Sequence, residues 1–326
     1  MTRQLVEEAR RIIVEEGGRA LEEARREVRR WRILSPRARR AILEFMRRWR
    51  DYTRPALMSL SCRAVGGRPE DVVGVAAALI LVSGAFDLHD DIIDRSYVRG
   101  PRRRKTILGR YGEEVALLIG DALLLRGSWM LARELSRFRL RPSRLREALD
   151  LIFELGSAEA LELELVGRVD VKVEDYLRLV EMKAADVEAY AKLGALIGGG
   201  SDEQVEALGA YGRRLGMITI LRDDIEDLLN YKVELRSRVL REVLPLPLIY
   251  ALSSEARGEV VEILRRGELG DEELERLVEL ADRSGGVDNT LSLIDRLAEE
   301  AERALDRVGG SVEGLRVLVR AAAPRP

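Results

Sequence analysis

Apolar residues recur along nearly the whole chain at spacings of three and four, the spacing of one helix face. This pattern begins at Leu5, is interrupted at Gly17-Gly18, where we expect a break, and resumes through Trp31. Ser35-Pro36 predicts an N-cap followed by a first-turn proline, which opens a helix through Trp49. Since no segment alternates in the manner of a strand bounded by hairpin turns, the sequence predicts an all-α fold.

The same periodicity predicts the remaining helices. They are expected at residues 55–65, 69–96, 106–135, 143–166, 173–198, 202–230, 240–252, 254–265, 271–283, 287–308 and 311–322. No linker and no shift of composition divides the chain. We therefore expect residues 1–326 to form a single all-α domain, with long central helices buried on most sides.

Composition narrows the possible partners and location. The formal net charge of −2 gives no electrostatic case for a nucleic acid partner, and the single cysteine, Cys62, excludes an intramolecular disulfide. The apolar run Val72–Phe86 is shorter than the roughly 20 residues that span a bilayer. We therefore expect a cytoplasmic protein without stable membrane insertion. Scarce amides and dense charge fit a heat-adapted protein, although a GC-rich genome explains the arginine bias equally well.

Two acidic clusters each follow a strongly apolar segment. They contain Asp87, Asp90, Asp91 and Asp94 in the first, and Asp223, Asp224 and Asp227 in the second. Spacings of three and one place each set on one side of a helix. Like charges at the end of a buried segment repel one another and lose hydration, unless a cation neutralises them or water reaches them. A single such cluster is usually a solvated surface, but two predict facing carboxylate walls that hold Mg²⁺, shared with a substrate phosphate.

Cationic residues follow both clusters. Arg99 to Lys105 is a basic loop after the first cluster, and such a loop beside Mg²⁺ suits a diphosphate because arginine matches phosphate oxygens. Lys183 and Lys232 are candidate phosphate contacts, with a surface ion pair as the alternative for each. His89 directly precedes Asp90, so we expect it to donate to a carboxylate and orient the first cluster.

These residues resemble the polyprenyl synthetase family, the trans-isoprenyl diphosphate synthases. The resemblance runs through most of the chain and is strongest at residues 88–94, 120–124, 223–227 and 244–252. It implies an isoprenoid-synthase-type helical bundle around a central cavity, usually in a homodimer. It also implies Mg²⁺-dependent condensation: an allylic diphosphate ionises, isopentenyl diphosphate attacks, and a proton is lost.

The resemblance and the charge pattern together assign roles to individual residues. The expected metal ligands are Asp90, Asp91, Asp94, Asp223, Asp224 and Asp227. The expected catalytic residues are Asp90, Asp91, Lys183 and Asp223. The expected substrate contacts are Arg54, Arg99, Arg102, Arg103, Lys183 and Lys232. Asp87 lies outside the three-Asp pattern and is expected to support the ligands without binding metal.

The usual isopentenyl diphosphate site of the family is altered. Its Gly-Gly-Lys-Arg-x-Arg-Pro stretch is here Trp49-Arg-Asp-Tyr-Thr-Arg-Pro, so the lysine and first arginine fall on Asp51 and Tyr52. Ser83 stands where the family often has a histidine. Asp51 places negative charge where a diphosphate binds, which is unfavourable unless a loop arginine compensates.

Three hypotheses follow. The first is an active prenyltransferase that makes a C15–C20 or longer prenyl diphosphate, with its second substrate held by Arg54 and Arg102–Arg104. The second is a non-elongating relative, either a modulating subunit of a heteromeric synthase or an enzyme that only ionises an allylic diphosphate. The third, a Mg²⁺/phosphate-binding protein without turnover, is disfavoured by the intact clusters. The length prediction rests on the small Gly84 and Ala85, with Phe86 as the residue able to shorten the product.

Overall fold

The computed structural model describes residues 3–99, 104–266 and 269–323. Within these ranges the chain is helical apart from one short hairpin, which confirms the all-α prediction. The helices are α1 (Arg3–Arg30), α2 (Pro36–Arg48), α3 (Thr53–Ala64), α4 (Pro69–Ile93), α5 (Ile107–Tyr111), α6 (Glu113–Leu135), α7 (Pro142–Leu165), α8 (Val173–Lys183), α9 (Ala185–Ile197), α10 (Asp202–Leu229), α11 (Glu234–Arg241), α12 (Leu246–Leu252), α13 (Arg257–Leu264), α14 (Asp271–Arg283), α15 (Gly286–Asp306) and α16 (Glu313–Ala322). The hairpin pairs β1 (Val98–Arg99) with β2 (Arg104–Lys105) in antiparallel register, and it was not predicted.

Local chemistry sets several helix ends. The Ser35 hydroxyl accepts a hydrogen bond from the Ala38 N–H, which confirms the predicted N-cap of α2. The predicted 106–135 helix is divided at Gly112, whose φ of 86° favours glycine. The predicted 173–198 helix is divided at Ala184. The predicted 240–252 helix is replaced by α11 and α12, with Pro245 as the N-cap of α12.

The expected break at Gly17-Gly18 is wrong, because α1 runs through both glycines. A Cβ atom on Gly17 would lie 2.3 Å from the Tyr52 carbonyl oxygen, whereas one on Gly18 would meet nothing within 4 Å. Gly17 therefore lets α1 approach the backbone ahead of α3. Its small size serves packing rather than chain reversal.

Two central helices carry the acidic clusters at their C-terminal ends. The first cluster lies at the end of α4, whose apolar side chains between Val72 and Leu88 are largely buried. The second lies at the end of α10, which packs along α9 and α15. Helices α3 and α9 pack against each other between α4 and α10. This layering brings residues far apart in sequence to one end of the bundle.

Two helices in the described part of the chain, α4 and α6, are long and apolar enough to cross a membrane by length and composition alone. About 67% of the apolar window of α4 is buried inside the protein, compared with 39% for α6. Helix α6 exposes Leu118, Leu125 and Trp129 on one surface. These three side chains form an exposed apolar patch on α6.

Candidate metal and diphosphate site

The last two turns of α4 present the first acidic cluster, and Arg99 from β1 lies against it. The Arg99 guanidinium donates to Asp87 Oδ1 at 2.8 Å and lies 3.0 Å from Asp91 Oδ1. Its Nη2 is 3.9 Å from Asp90 Oδ2. Asp87 thus supports the cluster by holding Arg99. The predicted phosphate contact Arg99 is, in this structure, the counter-ion of the carboxylates.

The first cluster holds more negative charge than Arg99 balances. Burial, followed by the repulsion of Asp90, raises the pKa of Asp94 to about 7. Burial also raises the pKa of Asp91 to about 7 and that of Asp90 to about 6, although Arg99 opposes both shifts. Loss of hydration and like charge both disfavour the ionised form. The cluster therefore has the electrostatic properties of a site that takes up cations.

The second cluster is organised around Asp224, which is fully buried. The Tyr176 hydroxyl lies 2.9 and 2.8 Å from its two oxygens, and the Leu246 N–H donates to Oδ2 at 3.0 Å. The Arg238 guanidinium donates to Oδ1 at 2.5 Å. Both oxygens are engaged by protein donors, so Asp224 is less available than its neighbours, and its role as a metal ligand stays a prediction. In the structure, Asp224 anchors α10 to α8, α11 and α12.

Asp223 and Asp227 differ from Asp224 in this respect. Asp223 is exposed and makes no ion pair with a described residue. Asp227 lies 3.5 Å from Arg238 Nε, and burial raises its pKa to about 7 against the influence of that arginine. These two carboxylates remain the second wall available to a metal ion.

Two glutamates of α7, Glu159 and Glu162, join the site without having been predicted. Lys183, the last residue of α8, forms an ion pair with Glu162 and lies 3.5 Å from Glu159 Oε2. Burial is the main cause of the raised pKa values of Asp90 and Asp94 on one wall and of Asp224 on the other. The negative charge of Glu162 raises these three pKa values further. Glu162 is therefore close to both walls, and the two acidic clusters border one space.

Lys183, predicted to contact phosphate, lies in this space as the counter-ion of the α7 glutamates. Burial alone would lower its pKa, but Glu162 and Glu159 outweigh burial and the net shift is upward. Lys183 therefore carries a positive charge, and Asp90 is among the carboxylates close enough to raise its pKa. This placement suits a cation that faces a diphosphate beside the first cluster.

Arg54 lies elsewhere, between two carboxylates. Its Nε donates to Asp186 Oδ2 at 2.5 Å and its Nη1 donates to Asp51 Oδ2 at 3.0 Å. Asp186 is only 3% exposed, and its Oδ1 has no hydrogen-bond partner among the described residues. The Tyr190 hydroxyl, 3.4 Å from Ser83 Oγ, adjoins this group. Two carboxylates already take the charge of Arg54, so this arrangement lends no support to Arg54 as a phosphate contact, which stays a prediction.

Lys232 and His89 contact carboxylates outside the two clusters. Lys232 forms an exposed ion pair with Asp271 at 3.2 Å, at the rim of a cavity of about 590 Å³ that also borders Asp90 and Asp94. His89 Nε2 lies 3.3 Å from Asp121 of α6, so it faces away from the carboxylate beside it in sequence. Arg102 and Arg103 lie outside the described residues.

The donor set suits the chemistry of Mg²⁺, the ion that the clusters predict. All candidate ligands are hard carboxylate oxygens, and their charge exceeds that of Arg99, Lys183 and Arg238. Among the described residues, no three His, Cys, Asp or Glu side chains are close enough to hold a metal ion alone. A site of this kind fits Mg²⁺ that completes its coordination with water and substrate phosphate.

The sequence model of the polyprenyl synthetase family matches residues 51–281 of this chain. The chain belongs to this family. It is 31% identical to a short chain isoprenyl diphosphate synthase of Methanothermobacter thermautotrophicus over 81% of this chain and 79% of that protein. It is 31% identical to large subunit 1 of a chloroplastic heterodimeric geranylgeranyl pyrophosphate synthase of Arabidopsis thaliana, over 65% of this chain and 60% of that protein.

A solved structure supports the fold of this polyprenyl synthetase independently. The crystal structure of geranylgeranyl pyrophosphate synthetase from Pyrococcus horikoshii superposes with a TM-score of 0.84 over 98% of this chain and 99% of that chain, at 23% identity. The chain therefore has the all-α isoprenoid-synthase fold. Its family membership and its relatives identify it as a prenyltransferase and support prenyl-chain elongation as its activity.

Several residues of the site in this polyprenyl synthetase escaped the sequence analysis. The i,i+3 pair Glu159 and Glu162 was a usable signal, since both share one helix face. Arg238 and Tyr176 belong to no acidic motif and are brought to Asp224 only by packing. Asp186 follows Lys183 by three residues, but nothing in the sequence indicated that it pairs with Arg54.

Proposed function

We propose that this polyprenyl synthetase is a Mg²⁺-dependent prenyltransferase that condenses an allylic diphosphate with isopentenyl diphosphate. The observation that carries the proposal is the shared space between the two acidic walls. Glu162 is close to both walls, and Glu242 helps raise the pKa values of both Asp94 and Asp227. An anionic substrate enters such a space only together with cations that neutralise the carboxylates.

In this proposal the residues of the two walls have distinct roles. Asp90, Asp91 and Asp94 on α4, with Asp223 and Asp227 on α10, are the ligands for Mg²⁺. When bound, Mg²⁺ neutralises the charge that develops on the departing diphosphate. Arg99 and Lys183 supply fixed positive charge beside the phosphate oxygens, and Asp224 keeps the end of α10 in place.

We propose a C15–C20 or longer product, in line with the short-chain relative. Gly84 supports this length less than its sequence position suggested. A Cβ atom there would lie 2.8 Å from the Phe45 ring, so the small residue makes room for α2. Phe86 lies near Gly156 of α7, and Ala85 is buried. The depth of the substrate cavity therefore depends on side chains from α2 and α7 as well as α4.

We further propose that the enzyme is a cytoplasmic homodimer. Leu118, Leu125 and Trp129 of α6 are 64%, 71% and 52% exposed, and a second copy would cover this face. A heteromer with another family member is the alternative assembly, supported by the similarity to the Arabidopsis large subunit.

The ion pairs that hold Arg54 favour a second candidate function. In this alternative the protein is a non-elongating relative that only ionises the allylic diphosphate or modulates an active partner.

The deciding experiment incubates purified protein with Mg²⁺, labelled isopentenyl diphosphate and dimethylallyl, geranyl or farnesyl diphosphate. Products are then resolved by chain length, and we expect labelled C15–C20 or longer prenyl diphosphates. Consumption or binding of an allylic diphosphate without any labelled product would favour the non-elongating alternative.

The metal assignment has its own test. Asp90→Ala and Asp223→Ala are expected to abolish Mg²⁺-dependent binding of geranyl diphosphate in calorimetry. Asp170→Ala is the matched control, because Asp170 is exposed and, among the described residues, forms an ion pair only with Arg168. If both site variants bind geranyl diphosphate with the wild-type dependence on Mg²⁺, the two walls do not hold the metal.

A further inference from the structure

A cavity of about 850 Å³ lies beside the first acidic cluster, between α2, the hairpin and α5. Its lining is mainly cationic. The basic side chains are Arg47, Arg48, Arg50, Arg99, Arg104, Lys105 and Arg110. The acidic side chains that line it, Asp87 and Asp91, are both contacted by Arg99. The remainder of the cavity therefore carries positive charge that these two aspartates do not balance.

The basic side chains fall into two groups. Arg48 and Arg110 lie 2.8 and 3.2 Å from Glu44 Oε1, and Arg48 also donates to the Lys105 carbonyl. These two arginines hold α2 against α5 and the hairpin. Arg47, Arg50, Arg104 and Lys105 are exposed and make no ion pair with any described residue. Their charges are the ones available to a ligand.

The neighbouring position, where the family resemblance placed a diphosphate, has the opposite charge. Arg54 is shared between Asp51 and Asp186, so this group carries a net negative charge. Asp186 Oδ1 is buried and lacks a hydrogen-bond donor among the described residues. A phosphate oxygen placed there would meet an uncompensated carboxylate, which repels it. The substitution that removed the family's lysine has therefore also closed that position to anions.

We propose that the diphosphate of the second substrate binds in the cavity between α2 and the hairpin, held by Arg47, Arg50, Arg104 and Lys105 and not by Arg54. Arg50 directly precedes Asp51, so the displacement along the chain is small. Three arginines and a lysine around one diphosphate combine bidentate pairing with a flexible point charge. This inference rests on the proposed function for the identity of the ligand, isopentenyl diphosphate.

The test is direct binding of isopentenyl diphosphate to the full chain, measured by calorimetry without an allylic substrate, so that no turnover occurs. The double variant Arg50→Gln/Arg104→Gln removes two unpaired charges. Its Kd is expected to rise ~10- to 100-fold, since bonds to charged groups are the strong ones. Arg39→Gln is the matched control: Arg39 is an exposed arginine of α2 outside the cavity, and its loss is expected to leave Kd within about twofold.

Thermal melts check that the variants are folded. We expect an unchanged Tm, because these side chains are exposed and stabilise no described ion pair. A folded double variant that binds isopentenyl diphosphate as tightly as the wild type overturns the assignment. Equal weakening by Arg39→Gln overturns it as well, because the effect would then be one of net charge.

Kinetics separate this inference from the proposed function. In an elongating enzyme, the double variant is expected to raise KM for isopentenyl diphosphate while KM for the allylic substrate stays within about twofold. Elongation with an unchanged KM for isopentenyl diphosphate would refute the binding site and leave the proposed function standing. If the wild type elongates nothing but binds isopentenyl diphosphate in the predicted arginine-dependent way, the site stands and the proposed function falls.

Discussion

Replacing Arg238 by methionine tests whether the second acidic cluster is held together by an internal cation. Arg238 contacts Asp224, lies 3.5 Å from both Asp227 and Glu242, and is within 3.2 Å of the Tyr176 hydroxyl. Methionine retains much of the apolar volume but leaves the fully buried Asp224 without its counter-charge. The perturbation is therefore mainly electrostatic.

The expected cost follows from the remaining partners of Asp224. Removing one member of a buried ion pair costs about 3–5 kcal/mol. Asp224 keeps its hydrogen bonds from Tyr176 and the Leu246 N–H, so we expect the lower end, about 3 kcal/mol. With an unfolding entropy of roughly 2.1 cal/mol/K per residue, this corresponds to a fall in Tm of about 4 °C for a chain of this length.

The same contacts also predict how the loss of stability in Arg238→Met depends on pH. Burial already raises the pKa of Asp224 and Arg238 opposes that shift, so the variant raises the pKa further. A carboxyl with a raised pKa favours the folded state at low pH and loses that contribution as pH rises through the folded-state value. The stability difference between variant and wild type should therefore shrink as pH falls. Adding Asp224→Asn to Arg238→Met should recover much of the loss.

Chemical and thermal unfolding without metal measure this effect. Arg236→Met is the matched control on the same helix, because the half-exposed Arg236 pairs with the exposed Asp271 and donates to the Leu269 carbonyl, so its loss leaves no buried carboxylate without a counter-charge. Its expected cost is at most about 1 kcal/mol. If Arg238→Met and Arg236→Met destabilise equally, or if Arg238→Met leaves Tm unchanged, the counter-ion role assigned to Arg238 is wrong.

Three further predictions concern packing, assembly and protonation. Gly17→Ala should destabilise the protein by ~1–3 kcal/mol, because its Cβ would meet the Tyr52 carbonyl, whereas Gly18→Ala should stabilise it by ~0.5–1 kcal/mol; similar unfolding midpoints for the two would contradict the close approach. Leu118→Glu/Leu125→Glu should convert a dimer to a monomer in light scattering, while glutamate at the exposed Leu34 should not; a dimeric double variant places the interface elsewhere. The metal-free pKa of Asp94 is about 7, above its ordinary 3.8, so its stabilising contribution is present below about pH 4 and is lost as pH rises through 7. Mg²⁺ binding at pH 6 should therefore release protons, seen as a dependence of the calorimetric heat on buffer ionisation enthalpy, and no such dependence would mean that the carboxylates are already ionised.

The acidic clusters and the helix caps were predictable because their information is local. Asp90, Asp91 and Asp94 share a helix face through spacing alone, and Ser35 caps the helix that starts beside it. The apolar segments ahead of both clusters indicated that these carboxylates lie at the end of buried helices. Membership of the polyprenyl synthetase family was also predictable from these short stretches.

The ion-pair and hydrogen-bond partners of the charged groups were not predictable, because they lie far away in the sequence. Arg54 meets Asp186 across 132 positions, Lys183 meets Glu162 across 21, and Tyr176 meets Asp224 across 48. Sequence motifs show which side chains can ionise, but they do not show which oppositely charged side chain contacts each one in the folded protein.

The sequence by itself therefore determined the helices, the two carboxylate clusters and the family, because periodicity and spacing act over a few residues. The tertiary structure decided which charges remain available. Packing of α8, α10, α11 and α12 engages Asp224, and packing of α3 against α9 neutralises Arg54. The cavity between α2 and the hairpin keeps its positive charge because no described carboxylate reaches Arg47, Arg50, Arg104 or Lys105. Electrostatic energy depends on distance and burial, and only the folded chain sets both.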